Sequence, residues 1–517
     1  MDILIKNALI FNGEGNPPFK ANIGIKGEKI AYIGKDTFDT KKVIDVKECF
    51  LAPGFIDTHA HSEFTLPADP RAEGKITQGI TTEINGNCGI SASPLLGEFF
   101  ERRISDFKTF ELKPWHTLKE YLLLLKKTKP TINFVTLCGH GNLRGAILGY
   151  KNIKPQKYQI EKMKVLLKKE LFFSIRGLST GLIYPPGIFS DTEEIVELAK
   201  IIATKKGIYA THIRSEGERL LSSLEETVLI GEKSKVSIHI SHLKSSGKEN
   251  WWKIDSALRI IEDAQKKGVK ITVDTYPYTA SQTELDVFLP PWIIEGSKEE
   301  IIERIKKKNV RNSIKKYFKE KGEDFLKNLI ISNVANRVDS QLIGKNLFEL
   351  TKLNHIADFI CDLLIRSELQ VEVIYFGMSE ENLEKILQKP YTMIGTDASA
   401  KCKEGITAKG KPHPRGFGSF PRFIKRYVLE KKLLPLEEAI KKITSLPAKT
   451  FKIEKRGVIK EGYFADIVIF DPTEIEDTAT FADPFKISKG IKYVIVNGKI
   501  TVVDGVLTGI RNGKTLV

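Results

Sequence analysis

The sequence predicts an α/β fold: a (β/α)8 TIM barrel, with a small β-sandwich built from both termini and a helical insertion. Three observations carry this prediction. Short apolar runs alternate with helical patterns through the middle of the chain. β-rich runs with Gly-containing turns crowd both ends. A long, basic, helical stretch at about residues 285–350 falls off the alternation.

The ends come first. ILIKNALIFNG, NIGIKGEKIAYIG and KVIDV near the N-terminus read as strands, as do ADIVIFDP, KYVIVNGKI and TVVDGVL near the C-terminus. Neither set suffices for a closed β unit. Residues 1–52 and 446–517 are therefore expected to meet in one sandwich. The barrel is expected over residues 53–445. Its strand runs, in order, are FLAPGFIDTHAH, GITTEINGNCG, INFVTLCGHG, FFSIRGLSTG, GIYATHIRS, VSIHISHLK, VKITVDTYPY and YTMIGTDAS. DTEEIVELAKIIATKKG illustrates the connecting helices, with Ser190, Asp191, Glu193 and Glu194 forming a helix-start signature. The off-pattern stretch runs from LDVFLPPW to GKNLFEL, after the seventh strand. It reads either as surface decoration or as a partial lid, since barrel active sites open on that loop face.

Composition narrows the classes. The chain has 517 residues, 41% hydrophobic and 28% charged, enough for a packed core. It lacks the roughly 18 consecutive apolar residues of a membrane span. MDILIKNALIFNGEG has none of the parts of a secretory signal, so a cytoplasmic protein is expected. Five unpatterned cysteines argue against a disulfide framework. The net charge of +16 comes from lysines scattered over amphipathic helices such as IIERIKKKNVRNSIKKYFKEKG. No recognition motif accompanies them, so no nucleic-acid or membrane partner is expected.

The chemistry is concentrated at strand ends. Only nine histidines occur. His59 and His61 form an H-x-H, and alternate strand residues point the same way. His212, His242, Cys88 and Asp397 end other strand runs. A lone histidine on a strand is usually structural; six ligand-type residues at strand ends form a pattern. Imidazole, thiolate and an occasional carboxylate are zinc donors. Zinc lowers the pKa of its water to about 7, supplying hydroxide at neutral pH. Asp397 is then placed as general base and later general acid, a contribution of about 10²–10⁴-fold. His140 and His239 read as structural, and His116 and His355 carry no context.

PGFIDTHAH, with the later strand-end histidines and the late Asp397, resembles the amidohydrolase superfamily. GITTEINGNCG, GLSTGLIYPPG, SHLKSSG, DTYPYTAS, IGTDAS, HPRGFGSFPRF and GIKYVIVNGKITVVDGVLTGIRNGK resemble its D-aminoacylase (N-acyl-D-amino-acid deacylase) branch. These strings cover nearly the whole chain from about residue 51. The resemblance implies one tight zinc site at Cys88, His212 and His242. It also implies a second, weaker site at His59 and His61, with Cys88 and Asp397. Lys244, Tyr184, Ser281, Arg415 and Tyr276 match the family's contacts to the substrate carboxylate. Arg offers a bidentate fork, Lys a point charge, and Tyr and Ser hydroxyl donors. Other amidohydrolases use a carboxylated lysine on the fourth strand. FFSIRGLSTGL has none, in agreement with a bridging cysteine. Glu63 departs from the Asp the family commonly has there and is given no catalytic role.

The implied activity is zinc-dependent hydrolysis of N-acyl-D-amino acids to a carboxylate and a free D-amino acid. A dipeptidase for D-residue-containing substrates stays open. A cyclic-amide hydrolase of dihydroorotase or hydantoinase type is opposed by the missing lysine and by the GNCG and STGLIYPPG strings. An inactive barrel scaffold is opposed by six competent ligand positions. The small-molecule substrate's side chain, its acyl group and the oligomeric state are not read from the sequence.

Overall fold

The structure, a computed structural model, describes residues 1–516. Its centre is a closed parallel barrel of eight strands, numbered here β1 to β8. They are β1 (Phe55–Asp57), β2 (Ile80–Asn85), β3 (Asn133–Thr136, resuming at Cys138–Gly139) and β4 (Gly177–Gly181), then β5 (Ile208–His212), β6 (Ser237–Ile240), β7 (Ile271–Thr275) and β8 (Thr392–Ile394). Each pairs in parallel with the next. A parallel bridge between Ala60 and Ala398 closes the ring, beside Asp397 N–H donating to His59 O at 2.8 Å.

These strands are buried on both faces because both are covered. Ile56, Ile84, Val135, Leu137, Ile208, Ala210 and Met393 pack together from alternate positions on neighbouring strands. Helices cover the outside. The helix Thr192–Thr204 starts where its signature predicts: Asp191 accepts the Glu194 N–H at 2.9 Å. Such a cap contributes about 1 kcal/mol. The buried face of that helix, Ile195, Val196, Leu198, Ala199 and Ile202, lies against the barrel.

The terminal strands form one nine-stranded sheet joining both ends of the chain. Ile23 and Ile25 from its N-terminal side share a core with Ile467 and Ile495 from its C-terminal side, so the sheet curls over itself. Its alternate residues Val468, Phe470, Val494 and Val496 face the barrel layer instead.

Two segments differ from expectation. FLAPGFIDTHAH is two strands, not one. Phe50–Pro53 pairs antiparallel with Ile467–Phe470 in the terminal sheet, and β1 begins at Phe55. Gly54 turns the chain between the sheets, where a Cβ would meet Thr81 Oγ1 at 2.2 Å. The insertion is also not simply helical. Ser281–Glu284, Leu329–Val334 and Val371–Tyr375 form an antiparallel sheet. With the intervening helices this sheet encloses a separate core around Leu285, Ile314, Phe318, Ile360 and Val373. Lysine-rich helices dominate the pattern there and hide Leu329–Val334, while the other two strands lie just outside the expected bounds. Among the described residues, no helix is long and apolar enough to cross a membrane.

Candidate metal centre and active site

The donors converge at the carboxyl ends of the barrel strands. Cys88 Sγ lies 3.3 Å from His59 Nε2, 3.4 Å from His242 Nε2 and 3.7 Å from His212 Nδ1. Asp397 Oδ1 lies 3.2 Å from His61 Nε2 and 3.5 Å from His59 Nε2. Three overlapping donor sets result: His59, His61 and Cys88; Cys88, His212 and His242; His59, His242 and Asp397. Within each, the ligand atoms all lie within 4.8 Å of one another. One thiolate, imidazoles and a carboxylate at this spacing fit zinc. All six residues expected as ligands are thus brought together.

The backbone is bent to achieve this. Cys88 (φ 51°), His242 (φ 35°) and Asp397 (φ 49°) are all in the left-handed region, each just past the end of its strand. Such conformations cost roughly 1–3 kcal/mol each and cluster at functional sites. β6 ends at Ile240, so His242 and Lys244 stand on the loop beyond it. Lys244 nevertheless reaches the mouth, with Nζ 2.9 Å from His242 Nδ1.

Two carboxylates missed by sequence reasoning back the imidazoles. Asp274, on β7, lies 3.4 Å from His59 Nδ1 and accepts from His239 Nε2 at 2.8 Å. It also accepts the His242 backbone N–H. His239 is accordingly structural, held between Asp274 and Thr272. Glu216 Oε1 lies 2.8 Å from His242 Nδ1 and 2.5 Å from Lys244 Nζ, and Oε2 lies 3.7 Å from His212 Nε2. Asp274 was legible only as part of DTYPY. Glu216 sits on a loop, four residues past His212, with no periodic signal.

Electrostatics keep the anionic groups of the site ionised. Burial opposes ionisation of the Cys88 thiol, but His59 and His242 outweigh it and hold the thiol well below its ordinary value. Burial likewise opposes the charge on Asp397, yet Arg415 and His59 keep its carboxyl well below the carboxylate range. Burial works against Glu216 too; Lys244, His212 and His242 overcome it and lower its carboxyl.

The residues matched to carboxylate recognition also line this mouth. Arg415 is buried, with Nη1 2.8 Å from Asp397 Oδ2 and its guanidinium over the Tyr276 ring. Lys244 lies over the same ring. Tyr184 OH is 3.3 Å from Thr283 Oγ1, and its ring packs against His212. Ser281 and Thr283 belong to the first strand of the insertion and face the same cavity, of about 1560 Å³. Glu63 is buried and accepts the Gly86 N–H at 2.7 Å, fixing the turn before Cys88. His140 is buried against Glu194 at 2.8 Å, outside the donor cluster.

Beneath the H-x-H lies a buried ammonium that sequence reasoning also missed. Lys75 Nζ donates to Asp57 Oδ2 at 2.6 Å, and to Thr396 Oγ1 and Ala398 O, both at 2.7 Å. It ties the ends of β1 and β8, and so the H-x-H to the segment carrying Asp397.

Fold and donor set together define a metal-dependent hydrolase barrel. The Amidohydrolase family model matches residues 405–502. The chain is 32% identical to D-aminoacylase of Alcaligenes xylosoxydans xylosoxydans, over 100% of this chain and 97% of that protein. It is 31% identical to N-acyl-D-aspartate deacylase of the same organism, covering 100% and 95%. The crystal structure of N-acyl-D-glutamate deacylase from Bordetella bronchiseptica, complexed with zinc and a phosphonate inhibitor that mimics the tetrahedral intermediate, superposes with a TM-score of 0.83. That match has 29% identity and covers 100% and 99% of the two chains. The chain belongs to the D-aminoacylase family of amidohydrolases.

Proposed function

We propose that this protein is a zinc-dependent deacylase of N-acyl-D-amino acids, acting on a linear amide. The observation that carries the reading is the cluster of Cys88, His212, His242, His59, His61 and Asp397 around one thiol. Cys88, His212 and His242 hold the tight zinc, and His59 and His61 complete a second, weaker position with Cys88 and Asp397. Zinc, when bound, supplies Lewis acidity for the scissile carbonyl and acidifies a water.

The protein groups do the rest. Asp397 takes the proton of the attacking water and later delivers it to the departing amine nitrogen. Its low-lying carboxyl is the ionised base at neutral pH. Arg415 and Lys244 receive the substrate α-carboxylate, which is ionised at neutral pH. Both cations are ion-paired in the free protein, to Asp397 and Glu216. Tyr276 underlies both, and Tyr184 and Ser281 supply hydroxyls at the rim. D selectivity follows if the carboxylate clamp and the metal fix two substituents of the α-carbon. The five unpaired cysteines support a cytoplasmic site of action.

The test is a paired assay of zinc-loaded protein on N-acetyl-D- and N-acetyl-L-amino acids, with dihydroorotate and a hydantoin alongside. Turnover of D-amides alone is expected. Turnover of the cyclic amides alone would replace this reading with the cyclic-amide one.

A further inference from the structure

We infer that Glu216 is a positioning residue that keeps His242 in its metal-binding tautomer against the neighbouring Lys244. His242 presents Nε2 to Cys88 Sγ at 3.4 Å. Its other nitrogen, Nδ1, has two close partners: Glu216 Oε1 at 2.8 Å and Lys244 Nζ at 2.9 Å. Those partners are themselves 2.5 Å apart.

The two partners make opposite demands. A neutral imidazole carries one ring proton; an ammonium only donates and a carboxylate only accepts. If Lys244 donates to Nδ1, the ring proton sits on Nε2, and the nitrogen facing Cys88 has no free lone pair. If Nδ1–H donates to Glu216, Nε2 is free to bind a metal. Glu216 opposes the lysine with one oxygen, which accepts from Lys244 and lies at ion-pair distance from Nδ1. Its other oxygen lies 3.7 Å from His212 Nε2, beyond hydrogen-bonding range, so the effect falls mainly on His242.

A lysine beside a ligand histidine is thereby made compatible with metal binding. This is of use in a site that places a carboxylate-binding cation next to its metal, and the inference rests on that reading of the site. Partners of this kind typically set metal affinity by 10–100-fold.

The experiment measures zinc affinity by chelator competition on the full chain. It compares wild type, Glu216→Ala and Glu216→Gln, each with and without Lys244→Met. Thermal unfolding of the metal-free proteins checks the fold, and the Gln pair, which conserves volume, carries the test if the Ala variant does not fold. Glu216→Ala should weaken zinc by about 10–100-fold. Glu216→Gln, which keeps an acceptor for Nδ1–H, should lose less. Lys244→Met alone should leave affinity near wild type, and in either Glu216 background should restore much of the loss. Unchanged affinity in Glu216→Ala would overturn the inference. So would equal losses in the Ala and Gln variants, which would point to charge alone, or a loss that Lys244→Met does not relieve. A wild-type protein that binds no zinc would instead overturn the metal reading itself.

Discussion

Asp397 meets the two histidines of the H-x-H on one side and Arg415 on the other. That arrangement separates proton transfer from carboxylate recognition by a single side chain. Asp397→Asn keeps the shape and removes the proton acceptor. Turnover should fall on the order of 10³-fold or more, while zinc at Cys88, His212 and His242 is retained. A near-normal kcat, measured at matched zinc content, would exclude the role. The clamp has its own signature. Arg415→Met and Lys244→Met should each raise KM for N-acyl-D-amino acids, by the equivalent of about 2–5 kcal/mol for loss of a charge-assisted partner. The corresponding amides, which lack the charge, should be poor substrates of the wild type and lose far less in the variants. Equal losses on charged and uncharged substrates would assign both residues to the fold or the chemistry instead.

At the level of elements, the barrel was legible because short runs alternate with helical patterns and five of the eight strands lead into a metal-type donor. The ligands follow from that pattern, since histidine is scarce and four of the nine, His59, His61, His212 and His242, fall at or just past strand ends. What was not legible lies in loops and between sheets. Gly54 divides one apparent strand between two sheets, a matter of tertiary path that local alternation does not encode. Glu216 and Lys75 act through side chains that reach across elements, with no periodicity to mark them. The strand Val371–Tyr375 lies beyond the expected end of the insertion. The insertion also does more than decorate. Gly296 N–H donates to Tyr150 O at 2.9 Å, joining it to the far side of the mouth. Gln282 accepts the His413 N–H at 2.8 Å, and His413 Nδ1 accepts the Arg415 N–H at 3.0 Å. Its first strand thus carries Ser281 and also steadies the segment of Arg415.

The helix Lys157–Phe172 offers a pH test remote from the metal. Glu170 is buried on it, and burial raises its carboxyl from 4.5 to about 7, opposed only by a hydrogen bond from Ser93 at 3.0 Å. Between those values the unfolded chain has released a proton that the folded chain keeps. Stability therefore falls as pH rises through that window and levels off above it. Glu170→Gln removes the titration and keeps an acceptor for Ser93. It should stabilise the protein on the order of 2–3 kcal/mol at pH 8 and much less at pH 5. Equal shifts in thermal denaturation at both pH values would contradict the assignment.

On the scale of the whole molecule, stability and chemistry occupy opposite ends of the barrel. At the amino-terminal end, Asn133 of β3 bonds to Asp466 at 3.1 Å and Asn497 at 2.9 Å, and Arg456 pairs with the same Asp466. The segment ending at Leu516 joins there, with Leu516 N–H donating to Phe134 O at 2.9 Å. A sheet built from both termini is thus fastened to the barrel floor, leaving the strand ends above free to hold strained, metal-donating residues. The central claim is that this mouth works through zinc held by Cys88, His212 and His242. Its most direct test is a zinc titration of chelator-stripped protein, following hydrolysis of an N-acetyl-D-amino acid in wild type and Cys88→Ala. Wild-type activity should start near zero and rise with bound zinc, while Cys88→Ala should neither retain the metal after dialysis nor recover activity. Full activity in metal-free protein, or undiminished zinc binding in Cys88→Ala, would contradict the account.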